Sequence, residues 1–502
     1  MSFYKKLEEV QAKIEEVGDL AAFCYEYIIE SVGNETTFLG KYIWENSQAS
    51  SSNSNNPNLG QLKIFSARVE RHLRRIEKEG IGFLDGFQKI KELIKKQDQC
   101  MKLYGESGEN ESTIPYFVLA AVDRYMMVRK RCTGGMPLNS LYSERTLIYL
   151  KAKHHIMEKA LYALDFPDIV ESITVKNQFE NIVFISKKQL PEGVENPRMI
   201  TLYVDEADGE RNRIAKGKEW KIVVVPFGRH RMVKCQMQDG ALFNIGYEQE
   251  HLQNGINRAL TLLDRAIDTG ANVIVFPEFI CYPQMQQEIG KHLKELYEKD
   301  YSRTRALFFV VAGSGWYEEN NNIALIYSYT GRLLGKQYKY SQFAHGERGL
   351  VENLTSPGKE TTIISIEGIG EFVVGICRDI SNQDYTKHLV ERFRANFLLV
   401  PAWSRSVNIA FKGQLQSLTA NNHVTSSVVC NCCEALQAEK ERVGIVVTPC
   451  KEGTVVEGRV EEIHRQGDYC KGCECGCIFL VGMVFKNKAV KEGAIVKVIS
   501  QK

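Results

Sequence analysis

Apolar residues recur at intervals of three and four in the early part of the chain and give way later to short unbroken apolar runs. Leu7, Val10, Ile14, Val17 and Leu20 share one face of a helix expected over residues 3–31. The same spacing carries Phe65, Val69, Leu73 and Ile76, breaks at Gly80, and resumes through Phe83, Phe87, Ile90, Leu93 and Ile94. Two further helices are expected around 117–131 and 141–164, turning at Thr133-Gly134-Gly135-Met136-Pro137. The polar stretches 47–58 and 105–113 have little to bury and read as loops or linkers. The pattern therefore predicts an all-helical module over residues 1–165.

Beyond Pro167 the texture shifts to short strands at 173–175, 182–185 and 200–204, and residues 166–218 read as a β-rich connecting segment. From Lys221 the periods alternate. Ile222–Val225 has the composition of a buried strand, Leu252, Ile256, Leu260, Leu263 and Ile267 mark an amphipathic helix, and Val273–Phe276 is the next strand. Strands follow at 307–311, 323–329, 362–366, 372–376 and 397–400, with a helix carrying Tyr385, Leu389 and Phe393. Alternation of this kind predicts an α/β domain over 219–502.

Composition narrows the classes. With 502 residues and 44% hydrophobic content, two domains are expected. A net charge of +2 supplies no global field for nucleic acid or a membrane surface. The acidic residues near the amino terminus do not suit a secretory leader, and the apolar stretch 478–485 is far short of a bilayer span. Fourteen cysteines spread through so long a chain are expected to be reduced thiols, which places the protein in the cytoplasm.

The chemistry concentrates in three segments that each follow an apolar run: Phe276-Pro277-Glu278, Gly335-Lys336-Gln337-Tyr338-Lys339 and Gly375-Ile376-Cys377-Arg378-Asp379. A thiol where a strand hands over to a helix is reachable and surrounded by backbone N–H groups, which favour thiolate. Each residue alone also has a plainer reading: Cys377 as a buried apolar side chain, Glu278 as a loop carboxylate, Lys339 on a solvated edge strand. Together and in this order they resemble the motifs of the nitrilase, or carbon–nitrogen hydrolase, superfamily, over about Lys221 to Phe485. The resemblance implies an α-β-β-α sandwich with Glu278, Lys339 and Cys377 as catalytic base, cation and nucleophile, and no metal or organic cofactor. It also implies that Glu347, eight residues after Lys339, positions substrate and lysine, and that Val400-Pro401-Ala402-Trp403 walls the pocket.

Three positions depart from or refine that pattern. Ser341 stands where many members carry His, Arg378 where Tyr or Trp is common, and Asp379 resembles amidase members more than nitrile-cleaving ones. Arg378 reads either as a group for a substrate carboxylate or as an ion-pair partner of Asp379 or Asp384. The expected substrate is a small-molecule amide in preference to a nitrile. Rival readings are a metabolite-sensing or interaction protein on the same fold, as in prokaryotic antiviral or signalling assemblies, and an N-acyltransferase.

Cys470, Cys473, Cys475 and Cys477 form the one constellation with metal-like spacing. Zinc is weighed there against unliganded, partly buried thiols, and the thiols are favoured because structural zinc sites draw on two separated pairs. Arg68, Arg71, Arg74, Arg75 and Lys78 are interleaved with Glu70, Glu77 and Glu79, which reads as a salt-bridged helix face and argues against nucleic acid. The helical module is free to mediate homo-oligomerisation or to recruit a protein partner.

Overall fold

A computed structural model of the chain describes residues 3–32, 57–103, 113–129 and 146–150, and 182–499 apart from short segments that include 346–348, 436–441 and 466–475. The described residues fall into two compact units, one ending at Leu190 and the other beginning at Pro191.

The first unit is built on helices Phe3–Val10, Val17–Val32, Pro57–Glu79, Phe83–Leu103 and Thr113–Arg129. The single helix expected over 3–31 is divided between Val10 and Val17, yet Leu7, Ile14, Leu20, Val69, Leu73, Ile90 and Ile94 still meet in one core. Helix Thr113–Arg129 supplies Val118, Leu119, Ala121 and Val122, all fully buried, so it is apolar around most of its circumference. The basic ridge is neutralised locally, with Glu70 accepting from Arg74 and Arg124 and Glu79 from Arg75.

The helix expected over 141–164 is corrected by the structure. Thr146–Leu150 is a strand, paired antiparallel with Ile182–Ser186 from Thr146 opposite Ser186 to Leu150 opposite Ile182. Five residues rich in β-branched and aromatic side chains suit a pleated surface, and a partner strand distant in sequence decides the matter. The segment 166–218 divides as well: Ile182–Ser186 serves the first unit, whereas Arg198–Leu202 joins a sheet of the second, followed by helix Gly209–Lys216. The strand expected at 173–175 lies outside the described residues.

The second unit holds two seven-stranded sheets and a four-stranded one among its described residues. The first sheet runs Leu333–Tyr338, Asn321–Ser328, Phe309–Tyr317, Val273–Val275, Glu219–Val224, Ile478–Lys486 and Ala489–Ile499. The second runs Val455–His464, Arg442–Glu452, Ser426–Asn431, Phe397–Ala402, Gly370–Val374, Thr362–Ile366 and Arg198–Leu202. The small sheet is Ala344–His345, Leu350–Glu352, Leu242–Tyr247 and Val233–Met237.

Helices Gln249–Asp268 and Pro283–Lys299 bury Ile256, Leu263, Ile289 and Leu293 in one core with Val223, Ile274 and Val310 of the first sheet. An aromatic layer joins the two large sheets: Phe372 lies 5.7 Å from Trp220, 5.3 Å from Phe309 and 4.3 Å from Phe397 between ring centroids. Each such pair contributes about 1 kcal/mol beyond its buried area. At Gly335 the two large sheets approach closely, since a Cβ there would fall 2.3 Å from Thr362 Oγ1. The motif glycine before the lysine is thus a packing requirement. No described helix is long and apolar enough to cross a membrane.

Candidate active site

Strands from all three sheets end at one buried cluster. Glu278 follows Val273–Val275, Lys339 follows Leu333–Tyr338, Cys377 follows Gly370–Val374, and Glu352 closes Leu350–Glu352. Pro277 and Glu278 are locked in place by the neighbouring strand Phe309–Tyr317, where Ser314 N–H donates to Pro277 O at 3.1 Å. Gly313 makes that approach possible: its φ is +64°, and a Cβ would fall 2.3 Å from Pro277 O.

Lys339 is the hub. Its Nζ donates to Glu278 Oε1 at 2.8 Å and to Glu352 Oε2 at 2.7 Å, and all three side chains are at most 2% exposed. Asn322 Nδ2 donates to Glu278 Oε1 at 2.9 Å and to Glu352 Oε1 at 3.4 Å, and Phe343 N–H donates to Glu352 Oε2 at 3.0 Å. Burial alone would lower the ammonium's pKa, but the two carboxylates outweigh it and hold Lys339 above the ordinary lysine range. Burial drives Glu278 upward, and Lys339 opposes this only in part while Glu352 adds to it.

Glu278 Oε2 has no full hydrogen-bond partner, yet the Cys377 thiol is close enough to the carboxylate to interact with it. Burial pushes the thiol well above its usual range and Glu278 adds to the effect, while Lys339 and the Trp403 backbone N–H favour thiolate. Burial thus favours the protonated form of both groups, and Lys339 is the neighbouring charge that opposes it in each.

Cys377 sits at φ 45°, and Phe279, next to Glu278, at φ 63°. A non-glycine residue in this left-handed region is strained, and the strain turns the thiol out of the strand line. Comparing Cys377→Gly with Cys377→Ala isolates that effect. Glycine normally costs about 0.5–1 kcal/mol relative to alanine; here the Gly variant is expected to be the more stable by about 1 kcal/mol. Denaturant melts read the difference, and a more stable Ala variant would rule out strain at this turn.

Apolar side chains close the site's flank. Phe279 stands edge-on to Trp403 at 5.9 Å and tilted to Trp316 at 6.4 Å, with Phe243, Ile245 and Leu354 in the same cluster. The Lys339 ammonium lies 5.3 Å from the centre of the Phe279 ring.

Of the residues singled out from sequence, Glu278, Lys339 and Cys377 are brought together and Trp403 is adjacent. Arg378 is exposed, while Asp379 is fully buried and bonded to backbone amides, so the two form no surface ion pair. Glu347 lies outside the described residues; the carboxylate observed on Lys339 is Glu352. Asn322 was not anticipated either, and only its place in a run of three asparagines hinted at a polar role. Cys470, Cys473 and Cys475 also lie outside the described residues, and Cys477 is buried just before strand Ile478–Lys486. Among the described residues no group of three or more His, Cys, Asp or Glu side chains is arranged to hold a metal.

No family model and no curated protein matches the chain. Solved structures similar to it include members of the nitrilase superfamily. Saccharomyces cerevisiae Nit3, of branch 10 of that superfamily, is 18% identical over 50% of this chain and 92% of its own, with a TM-score of 0.33. An amidase from Nesterenkonia sp. is 14% identical over 50% of this chain and 92% of its own, with a TM-score of 0.32. A glutamine-dependent NAD+ synthetase from Acinetobacter baumannii is 14% identical over 57% of this chain and 48% of its own, with a TM-score of 0.34.

Proposed function

We propose that this protein is a thiol-dependent hydrolase of a non-peptide carbon–nitrogen bond, acting on a small-molecule amide through a thioester on Cys377. The observation that carries the reading is the buried Glu278–Lys339–Glu352 cluster set against a thiol at a strained turn. On this reading the second unit is an α-β-β-α sandwich of nitrilase type, and the first unit, strand Ile182–Ser186 included, is a module for self-assembly or partner binding.

Cys377 Sγ attacks the amide carbon as its proton passes to Glu278. The negative charge that develops on the carbonyl oxygen is met by Lys339 Nζ and the Arg378 backbone N–H, each such donor contributing about 3 kcal/mol to the barrier reduction. Glu278 then gives the proton to the departing amine. A water molecule, deprotonated by the same carboxylate, opens the thioester and restores the thiol. Glu352 keeps Lys339 charged and in place and takes no proton. The raised pKa of Glu278 suits delivery of a proton to the leaving amine of an amide.

Intact-protein mass spectrometry after exposure to a panel of small primary amides, with ammonia release measured in parallel, tests the proposal. An acyl adduct on the wild-type protein that disappears in Cys377→Ala is expected. Absence of both adduct and ammonia across the panel, with the fold intact, would instead favour a protein that senses a metabolite in the same pocket.

A further inference from the structure

A third buried carboxylate at the site bonds neither to Lys339 nor to Cys377. Asp379 Oδ1 accepts the N–H groups of Tyr340 at 2.9 Å and Ser341 at 2.7 Å, and Oδ2 accepts the N–H of Ile376 at 2.9 Å. Those amides directly follow Lys339 and directly precede Cys377. The lysine turn leaves the first large sheet and the thiol turn leaves the second, so a single carboxylate ties together two turns from different sheets. Asp379 is itself held, with its backbone N–H on Ile376 O at 3.0 Å and its carbonyl accepting from Thr386 Oγ1 at 3.1 Å.

We propose that Asp379 is a positioning residue that sets the separation of the Lys339 ammonium from the Cys377 thiol by clamping both turns. The proposal rests on the reading of Cys377 as nucleophile. An ionised carboxylate only accepts hydrogen bonds and so takes three N–H groups without conflict. A protonated acid, or an asparagine, turns one oxygen position into a donor facing an N–H, and one turn must let go. The charged and titratable groups around it are Lys339, Tyr340 and Tyr385. Burial pushes Asp379 up to about 7, while the amides of Ser341, Ile376 and Tyr340 and the charge of Lys339 hold it down. The clamp is therefore complete above neutrality and loosens as pH falls through it.

The test is alkylation of Cys377 by iodoacetamide in the full chain, followed by peptide mass spectrometry from acid to alkaline pH. The exposed Cys100 and Cys235 serve as internal controls. Asp379→Asn is expected to slow alkylation of Cys377 by about 10- to 100-fold, to remove the extra steepening near neutrality beyond the fall expected from thiolate loss alone, and to leave the controls unchanged. Asp379→Glu should restore part of the rate. A folded Asp379→Asn protein with the wild-type rate and pH profile overturns the proposal. If wild-type Cys377 stays unlabelled while both controls react, the nucleophile reading fails and the clamp with it. Should the Asn variant not fold, hydrogen exchange on the wild type decides. Tyr340, Ser341 and Ile376 amides protected to a common degree support the clamp, and independent exchange of the two turns refutes it.

Discussion

Lys339→Met is expected to destabilise the second unit by about 3–5 kcal/mol, and to do so far more at alkaline than at acidic pH. The substitution leaves an unbranched side chain one atom shorter and removes the charge that Glu278 and Glu352 share. Both carboxylates are fully buried, and Asn322 and the Phe343 amide are the neutral donors left to them. Without the ammonium Glu278 ionises only at the full cost of burial and of repulsion by Glu352, so its folded-state pKa rises further above the unfolded value of about 4.3. A carboxylate whose folded pKa is raised keeps its stability contribution below the unfolded pKa and loses it as pH climbs through the folded one. The variant should therefore approach wild-type stability at about pH 4 and fall away steadily toward about pH 8. Thermal melts of both proteins across that range provide the check, and a stability gap that does not change with pH would show that the carboxylates do not depend on this lysine. Lysine's own deprotonation does not blur the window, because its raised pKa lies far above it.

The residues that converge in space were legible in the sequence because strand ends are a local property. Val273–Val275 and Gly370–Val374 are recognisable from a few consecutive apolar side chains, whereas Leu333–Tyr338 is too polar to be read as a strand in that way; each delivers its reactive group within a few residues of the strand. The Glu352 contact to Lys339 was not legible in that way. Glu352 reaches the ammonium because Leu350–Glu352 pairs back on Ala344–His345 and lies parallel to Leu242 and Phe243, whereas Glu347 lies outside the described residues. That small sheet is stitched from segments too short and too polar to announce themselves. Asp379 was misjudged for a related reason. Its neighbour Arg378 offers a sequence-local ion pair, yet the carboxylate turns inward to amides that tertiary folding brings to it. Likewise Thr146–Leu150 continues a helical expectation until its pairing with Ile182–Ser186 is known. Long-range pairing and buried backbone amides leave no trace in periodicity, and those are the places where sequence reasoning stopped short.

Glu278→Gln should separate the two halves of the reaction. Gln is nearly isosteric, and its carbonyl oxygen can still accept from Lys339, so the lysine keeps both partners and the fold should survive. The amide nitrogen then occupies the position of Oε2, facing the thiol, and it neither accepts the thiol proton nor returns one. With an amide substrate the departing amine goes unprotonated and acylation should stall, with turnover falling by about 10²- to 10⁴-fold. With an activated ester the leaving group needs no proton, so the thioester forms slowly and then persists, because no base activates water. Mass spectrometry should accordingly find the adduct accumulating on Cys377 of the variant with the ester and not with the amide, while the wild type clears both. If the variant hydrolyses the thioester at the wild-type rate, the base in the second step is another group, and the buried position of Glu278 beside Lys339 is structural. If ester and amide stall alike without adduct, the carboxylate is needed to ionise the thiol itself. In that outcome removal of the proton from Cys377, rather than the breakdown of the thioester, limits the rate.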